Sequence, residues 1–221
     1  MRAVIFDLDG TLVDTVYAHA LAWWKVLAEA DLPVPGWKVH RLIGMSGGLI
    51  TKAASHEIGR ELSDDEVTRL QTRHGEVYTA LLPDRTALPG ALELLRHLRD
   101  AGIRHGIATS GKRQDAAASL EVLRLPPDAI VVDRTAVERA KPEPDLFLAC
   151  QEKLGVSPAE CYVVGDAVWD LLAARRAGML GIGLLSGGYG EEELARAGAY
   201  RVYRDPAELL SQIYQLGLRP S

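Results

Sequence analysis

The chain has 221 residues, of which 48% are hydrophobic and 25% are charged, and its net charge is −5 at pH 7. This balance is typical of a folded protein long enough for one large α/β domain or for a core domain with a smaller insert. The acidic charge argues against nucleic acid or an anionic membrane as a partner, and because no apolar run reaches the roughly 18 residues of a membrane span, we expect a cytoplasmic protein.

Predicted strands and helices follow one another along most of the chain. The first strand, residues 3–6, leads into a segment, residues 15–85, that has helical patterns and no evident strand. Beyond that segment, strands and helices alternate, with strands at 104–108, 130–132, 162–164 and 180–185, and helices at 91–101, 114–125, 144–154 and 168–177. Such alternation favours a parallel sheet with helices on both faces.

The sequence therefore predicts an α/β fold with two domains. Residues 1–14 plus 86–221 form a Rossmann-like, doubly wound parallel-sheet core, and residues 15–85 form an inserted α-helical cap domain. Within the insert we expect helices at 18–30 and 48–58, and a further helix that opens with the capping-box sequence Ser-Asp-Asp-Glu.

Two residue types are expected to lie in the interior. Cys150 and Cys161 belong to no CxxC pair, so neither a disulfide framework nor a zinc site is indicated, and both should be buried free thiols. Trp23, Trp24 and Trp37 lie in the predicted cap. Since aromatic side chains bury large apolar areas, we expect all three in the core of the cap rather than against a ligand.

The first motif with chemical content, Asp-Leu-Asp-Gly-Thr, directly follows the first predicted strand. Side chains two apart on an extended backbone point the same way, so Asp7 and Asp9 project together at the strand's carboxyl end, where open α/β sheets bind ligands. A Mg²⁺ ion would offset their repulsion, and a carboxylate can attack phosphorus to form an aspartyl-phosphate. Gly10 permits the turn that follows. The alternative is a strand-to-loop turn with two solvated acids.

A hydroxyl-containing segment, Thr109-Ser110-Gly111, follows the strand predicted at 104–108. A hydroxyl and free backbone N–H groups ahead of a helix can bind an anion such as phosphate. The alternative is a simple helix N-cap, which serine and threonine often form.

A lysine follows the next predicted strand, in the sequence Lys-Pro-Glu-Pro. Pro142 restricts Lys141 toward an extended backbone. A lysine held in this way can place one positive charge on a phosphate or on a nucleophilic carboxylate. The alternative is a solvated surface lysine, the commoner environment of this residue type.

Two further acids follow the strand predicted at 162–164, in the sequence Gly-Asp-Ala-Val-Trp-Asp. Asp166 lies at the strand's end, where it can complete a metal site, and Asp170, four residues on, faces the same side if a helix has begun. The alternative is an Asp N-cap with a second acid in the first helical turn, which the helix dipole favours.

The four motifs together supply a nucleophile, an acid/base, phosphate ligands and a divalent metal site, all at predicted strand ends. In these motifs, and in their order, the sequence resembles the haloacid dehalogenase superfamily of phosphohydrolases, and the resemblance covers essentially the whole chain. The helical insert after the first motif is similar to the C1 cap of phosphoglycolate-phosphatase-like and β-phosphoglucomutase-like members.

The resemblance implies four catalytic residues: Asp7 as the nucleophile, Asp9 as the general acid/base, Thr109 as a ligand of the transferring phosphoryl group and Lys141 as the balancing charge. It also implies further substrate or phosphate ligands beside them, namely Gly10, Ser110 and Gly111.

The resemblance further implies Mg²⁺ as the cofactor. Asp166 would bind it together with Asp7 and the backbone carbonyl of Asp9, and Asp170 would be either a further acid of the metal site or an acid that supports the ligands from behind. The expected activity is Mg²⁺-dependent hydrolysis of a small phosphorylated metabolite. Dehalogenation is not expected, because the dehalogenases lack the second Asp that Asp9 supplies here.

Two residues of the predicted cap are candidate substrate ligands. His19 matches a histidine that helps to position the acid/base in phosphoglucomutase-like members, and it could equally be a helix-surface or core histidine. Arg41 lies in the segment 40–48, which resembles the cap loop that sets specificity. The mutases have an arginine in that loop where this sequence has Gly47, and Arg41 or Arg73 could substitute for it.

Two alternatives to a phosphatase therefore remain. One is a sugar-phosphate mutase, against which Gly47 argues. The other is a non-catalytic binding protein that keeps the fold, which the complete set of motifs disfavours. The sequence does not distinguish a monomer from a homodimer.

Overall fold

The computed structural model describes residues 2–218, and its central feature is a six-stranded parallel sheet. The strands are β1 (Ala3–Phe6), β2 (Arg104–Ala108), β3 (Ile130–Val132), β4 (Cys161–Gly165), β5 (Leu180–Leu184) and β6 (Ala199–Tyr203). Their order across the sheet is β3-β2-β1-β4-β5-β6, and every neighbouring pair is parallel. The predicted doubly wound α/β class is confirmed.

The helices of the described chain are α1 (Val16–Glu29), α2 (Gly36–His40), α3 (Gly47–Glu57), α4 (Asp64–Leu81), α5 (Ala91–Asp100), α6 (Arg113–Glu121), α7 (Asp145–Leu154), α8 (Val168–Arg176), α9 (Glu191–Ala197) and α10 (Pro206–Ser211). Between residues 2 and 218, none of them combines the length and apolar character that crossing a membrane requires.

The chain consists of two compact units. One runs up to Asp14, resumes at Thr86 and contains the sheet with α5–α10; the other, Thr15–Arg85, contains α1–α4. The core domain expected over 1–14 plus 86–221 includes residue 1 and residues 219–221, which lie outside the described residues.

Strand β1 is apolar on both faces, which explains its central place in the sheet. Val4 and Phe6 belong to the apolar core that includes α5 and α10, whereas Ala3 and Ile5 belong to the core that includes α7 and α8. Because successive side chains of a strand point to opposite faces, a strand of four buried residues needs cover on both sides.

The strands predicted from the sequence are confirmed to within one residue at each end, but the pattern does not predict β6. This strand lies at the sheet edge and exposes Tyr200 and Arg201, so it has no continuous apolar run. The short helix α2 is likewise not predicted, since five residues are too few to show a helical period.

The prediction for the tryptophans is correct for one of the three. Trp23 is buried, but Trp24 is 46% exposed and Trp37 is 67% exposed. Helix α1 buries Ala20, Trp23 and Leu27, which share one face through spacings of three and four residues. Trp24 falls about 100° further around the helix and therefore points outward.

The prediction for the cysteines is confirmed, since Cys150 and Cys161 are free and buried. Burial raises the pKa of the Cys150 thiol to about 12 and that of Cys161 to about 11, because a thiolate in the interior loses its hydration.

We expect iodoacetamide at about pH 8 to leave both cysteines unmodified in the folded protein, because only an accessible thiolate reacts. In concentrated urea both should be alkylated. Mass spectrometry of the intact protein counts the adducts, and glutathione in the same solution serves as the reactive control. Alkylation of the folded protein at the rate of glutathione would show that the thiols are accessible.

Candidate active site

The carboxyl ends of three neighbouring strands bring predicted site residues to one edge of the sheet. Asp7 follows β1, Thr109 follows β2 and Asp166 follows β4, and all three are buried. Backbone hydrogen bonds extend the ladder beyond the strands, from Asp7 N to Val164 O and from Thr109 N to Val132 O, both 2.9 Å. The sheet therefore fixes the backbone positions from which these side chains project.

Lys141 reaches the same site from the segment between β3 and α7. Its Nζ lies 2.6 Å from Oδ1 of Asp7 and donates a 2.8 Å hydrogen bond to Oδ1 of Asp170. The lysine is only 1% exposed, so the alternative of a solvated surface lysine is wrong. A buried ammonium is stable only when it is paired, and here two carboxylates pair with it.

Asp166 completes a cluster of acids with Asp7 and Asp170. One carboxylate oxygen from each of the three lies within 4.8 Å of the others. The Thr11 hydroxyl donates a 2.7 Å hydrogen bond to Oδ1 of Asp166. This bond, between two buried groups, fixes the orientation of the Asp166 carboxylate.

Asp170 serves both helix α8 and the acid cluster. Its Oδ2 accepts a 3.0 Å hydrogen bond from the backbone N–H of Ala167, which is the N-cap of α8, while its Oδ1 faces Lys141. Since Ala167 and not Asp166 is the N-cap, the alternative of an Asp N-cap is wrong, whereas Asp170 lies both in the first turn of α8 and in the acid cluster. A Cβ at Gly165 would lie 2.6 Å from Oδ2 of Asp170, so the glycine leaves the room that this carboxylate occupies.

The cluster carries more negative than positive charge, because one ammonium faces three buried carboxylates. Burial, opposed by Lys141 and reinforced by Asp170, raises the pKa of Asp7 to about 7. Burial also raises the pKa of Asp166 well above its usual value, and the charges of Asp170 and Asp7 add to this. Burial alone lowers the pKa of Lys141, but Asp170 and Asp7 outweigh it and raise this pKa, so the lysine is charged.

These residues fit a divalent metal ion. Their donors are carboxylate oxygens, which Mg²⁺ prefers, and its two positive charges match the two negative charges that Lys141 leaves uncompensated. Asp7, Asp166 and Asp170 would supply the side-chain oxygens, and the contribution expected of Asp9 is its backbone carbonyl.

The segment after β2 does not cap the following helix. Helix α6 begins at Arg113 with Lys112 at the N-cap, so the N-cap alternative for Thr109 and Ser110 is wrong. Instead, the Thr109 hydroxyl oxygen accepts a 3.1 Å hydrogen bond from the backbone N–H of Gly111. This contact uses a lone pair of the hydroxyl oxygen and leaves the O–H able to donate a hydrogen bond to a ligand.

Asp9 and Gly10 form the turn after β1. Gly10 has a φ of 85°, in the left-handed region that glycine adopts without strain, and its N–H donates a 2.8 Å hydrogen bond to Val13 O. Asp9 is half-buried, and its charge contributes to the raised pKa of Asp7. The two acids of the first motif therefore interact electrostatically, as the spacing predicts.

His19 and Arg41 lie in the helical unit. Nδ1 of His19 is 3.2 Å from Nε2 of His74 in α4, and the His19 ring stacks on Tyr78 with 3.8 Å between centroids. Arg41 follows α2 and donates its backbone N–H to Trp37 O. These contacts show how each residue is held, and the roles assigned to them toward substrate stay predictions.

The segment after β5 was not anticipated from the sequence. Here Ser186 donates a 2.6 Å hydrogen bond to the carbonyl of Gly10. Gly187 lies so close to Asp166 that an added Cβ would be 2.8 Å from the Asp166 Cβ and 2.7 Å from its carbonyl oxygen. The only available signal was a Ser-Gly pair after a predicted strand, and neither residue type carries chemistry that would single it out.

Comparison with known proteins identifies the family. The profile of the haloacid dehalogenase-like hydrolases matches residues 1–178. A phosphoglycolate phosphatase of Rhodospirillum rubrum is 37% identical over 94% of this chain and 89% of its own length. A β-phosphoglucomutase of Bacillus subtilis is 32% identical, over 96% and 93% respectively. The crystal structure of a hydrolase from Pseudomonas syringae is 46% identical, covers 98% of this chain and 99% of its own, and superposes with a TM-score of 0.94.

We expect Gly187→Ala to weaken Mg²⁺ binding by about tenfold or more, because the added methyl group must displace Asp166, and changes behind a metal ligand commonly cost that much affinity. Isothermal titration calorimetry with MgCl₂ measures the effect. Gly190→Ala is the matched control, since a Cβ at Gly190 would meet only Oε2 of Glu193 at 3.4 Å. Equal Mg²⁺ affinity in the two variants would show that Gly187 does not position Asp166.

Proposed function

This chain belongs to the haloacid dehalogenase-like hydrolases and is a phosphatase-type enzyme of that family, and we propose that it hydrolyses small phosphorylated metabolites, with Mg²⁺, through an aspartyl-phosphate at Asp7. One observation carries the proposal: the ammonium of Lys141 is buried between Asp7 and Asp170, with Asp166 beside them. A nucleophilic carboxylate must be ionised and shielded from bulk water; the contact with Lys141 favours the ionised form of Asp7, and the burial of Asp7 shields it from bulk water.

In the first step, a carboxylate oxygen of Asp7 attacks the phosphorus of the monoester. The new bond joins that oxygen to phosphorus, and the bond from phosphorus to the ester oxygen breaks. The leaving oxygen takes a proton from Asp9, so the alcohol departs neutral. Lys141, 2.6 Å from Oδ1 of Asp7, opposes the effect of burial on the pKa of Asp7 and so favours the ionised nucleophile.

In the second step, water attacks the phosphorus of the aspartyl-phosphate. Asp9, now ionised, accepts a proton from that water, and the bond between phosphorus and the Asp7 oxygen breaks. Inorganic phosphate leaves, Asp7 is again a carboxylate, and Asp9 is again protonated. The sum of the two steps is hydrolysis of one phosphate monoester by one water.

The phosphoryl oxygens need donors and cations throughout both steps. The Thr109 O–H is placed to supply one donor, since its oxygen already accepts from Gly111, and backbone N–H groups beside it can supply others. Mg²⁺, held by Asp7, Asp166 and Asp170, would supply charge stabilisation to these oxygens.

A phosphoglucomutase is the alternative, since the Bacillus subtilis relative bears that name. The structure of the helical unit argues against it. At Gly47, the first residue of α3, a Cβ would lie 3.0 Å from Cζ2 of Trp23 and 3.2 Å from Cγ of Gln71. A side chain at this position needs Trp23 and Gln71 to give way by a few tenths of an ångström, so the packing favours glycine over the arginine that the mutases have here, and this supports hydrolysis rather than isomerisation.

We expect wild-type protein with Mg²⁺ to release inorganic phosphate from members of a panel of phosphate monoesters that includes 2-phosphoglycolate and hexose phosphates. Chelation by EDTA should abolish release, and added Mg²⁺ should restore it. Asp7→Asn should lower the rate by roughly 10³-fold or more, because an amide cannot form the acyl phosphate.

The control for these assays is the thermal unfolding of Asp7→Asn, which shows whether the variant remains folded. A folded Asp7→Asn variant that keeps wild-type activity would exclude Asp7 as the nucleophile. Isomerised sugar phosphate without free phosphate, detected by NMR, would favour the mutase instead.

A further inference from the structure

The segment that follows β5 contacts the ends of two other strands. Its residues Leu185–Gly187 form a short 3₁₀ turn. The Ser186 hydroxyl donates a 2.6 Å hydrogen bond to the carbonyl of Gly10, in the turn after β1. Gly187 lies against Asp166, which follows β4, so closely that a Cβ would clash with it. The segment therefore contacts both strand ends that carry acids of the site.

Gly10 is held at both of its backbone polar groups. Its N–H donates a 2.8 Å hydrogen bond to Val13 O, and its carbonyl accepts the bond from Ser186. Glycine has the widest choice of backbone conformations of any residue, so a glycine in a turn needs such restraints to keep one conformation. Because Asp9 directly precedes Gly10, whatever fixes Gly10 also restrains the backbone from which the Asp9 side chain projects.

Thr11 connects the same turn to the acid cluster. The carbonyl of Gly10 and the N–H of Thr11 belong to one planar peptide unit, so a hydrogen bond at that carbonyl restrains Thr11 as well. The Thr11 hydroxyl donates a 2.7 Å hydrogen bond to Oδ1 of Asp166. These two hydrogen bonds, and the close contact of Gly187 with Asp166, form a closed ring that joins the ends of β1, β4 and β5.

The bond from Ser186 matters more for alignment than for folding. Strand β5 is already held by its ladders to β4 and β6, and its last residue, Leu184, is buried. One neutral hydrogen bond is a small part of the free energy of unfolding, so we expect the protein to fold without it. By contrast, displacing a catalytic group by about 1 Å can lower a rate by about 10². Loss of the hydroxyl should therefore be evident first in catalysis.

We propose that Ser186 is a positioning residue for the general acid Asp9. Through the carbonyl of Gly10 it fixes the turn after β1, and with it the alignment of the Asp9 carboxyl toward the leaving oxygen. Through Thr11 the same bond fixes Asp166 for the metal ion. The inference rests on the proposed function, in which Asp9 protonates the alcohol as the ester bond breaks, and it adds a residue that acts on the reaction only through other groups.

The test uses two leaving groups that differ in their need for a proton. An alkoxide must be protonated as it departs, whereas p-nitrophenolate is a stable anion that departs without a proton. The substrates are p-nitrophenyl phosphate and the alkyl ester of the panel that wild type hydrolyses fastest, both at saturating Mg²⁺. We expect Ser186→Ala to lower kcat/KM about tenfold or more for the alkyl ester and less than about threefold for p-nitrophenyl phosphate.

Three further variants separate alignment from a general effect on the fold. Ser186→Thr keeps a hydroxyl and should restore most of the rate with the alkyl ester. Ser211→Ala removes a hydroxyl that donates a 2.8 Å hydrogen bond to the carbonyl of Glu208 in α10, and both esters should react as with wild type. Thermal unfolding by circular dichroism establishes that each variant is folded. If Ser186→Ala is not, Ser186→Cys, whose thiol is a weak donor of similar size, takes its place.

A folded Ser186 variant that loses no rate, or loses the same factor with both esters, would overturn the inference. If wild type releases phosphate from no ester, the proposed function fails separately, and calorimetric titration with MgCl₂ then tests the positioning by itself. Mg²⁺ binding at least about threefold weaker in Ser186→Ala than in Ser211→Ala supports it, because the restraint on Asp166 is lost. Equal Mg²⁺ affinity in these two variants overturns it.

Discussion

The ammonium of Lys141 is the charge on which the rest of the site depends. It contacts Asp7 and Asp170 while being almost completely buried. Removing one partner of a buried ion pair typically costs about 3–5 kcal/mol, so these three side chains stabilise the fold whatever their part in the proposed chemistry. Because Asp166 adds a third carboxylate, the three acids formally exceed the lysine by two negative charges, a balance that suits a divalent cation.

The sheet topology explains why residues so far apart in sequence share one site. β1 is central, with β2 on one side and β4 on the other, and parallel strands end at the same edge. Asp7, Thr109 and Asp166 are the residues that follow these strands. Lys141 comes from the segment before α7 and Asp170 from the first turn of α8, and their side chains meet Asp7 and each other there. The strand order therefore brings these residues together, and a different order would separate Asp7 from Asp166.

The sequence predicts best those site residues that directly follow a strand. Asp7 and Asp166 follow apolar runs, and that pattern alone places them at one edge. The contributions of Ser186 and Gly187 could not be found in this way, because they act through a carbonyl contact and through the absence of a Cβ. The exposure of Trp24 was missed for a similar reason, since composition indicates burial but only the helix phase decides which of two adjacent tryptophans faces inward.

The candidate site residues of the α/β unit are suited to groups that all phosphate monoesters share. Asp7, Thr109, Lys141 and Asp166 all belong to the α/β unit, and each is suited to a phosphoryl group, its bridging oxygen or a metal. Every phosphate monoester has these features, so such residues supply rate but little selectivity. Discrimination between esters requires groups that meet the rest of the substrate.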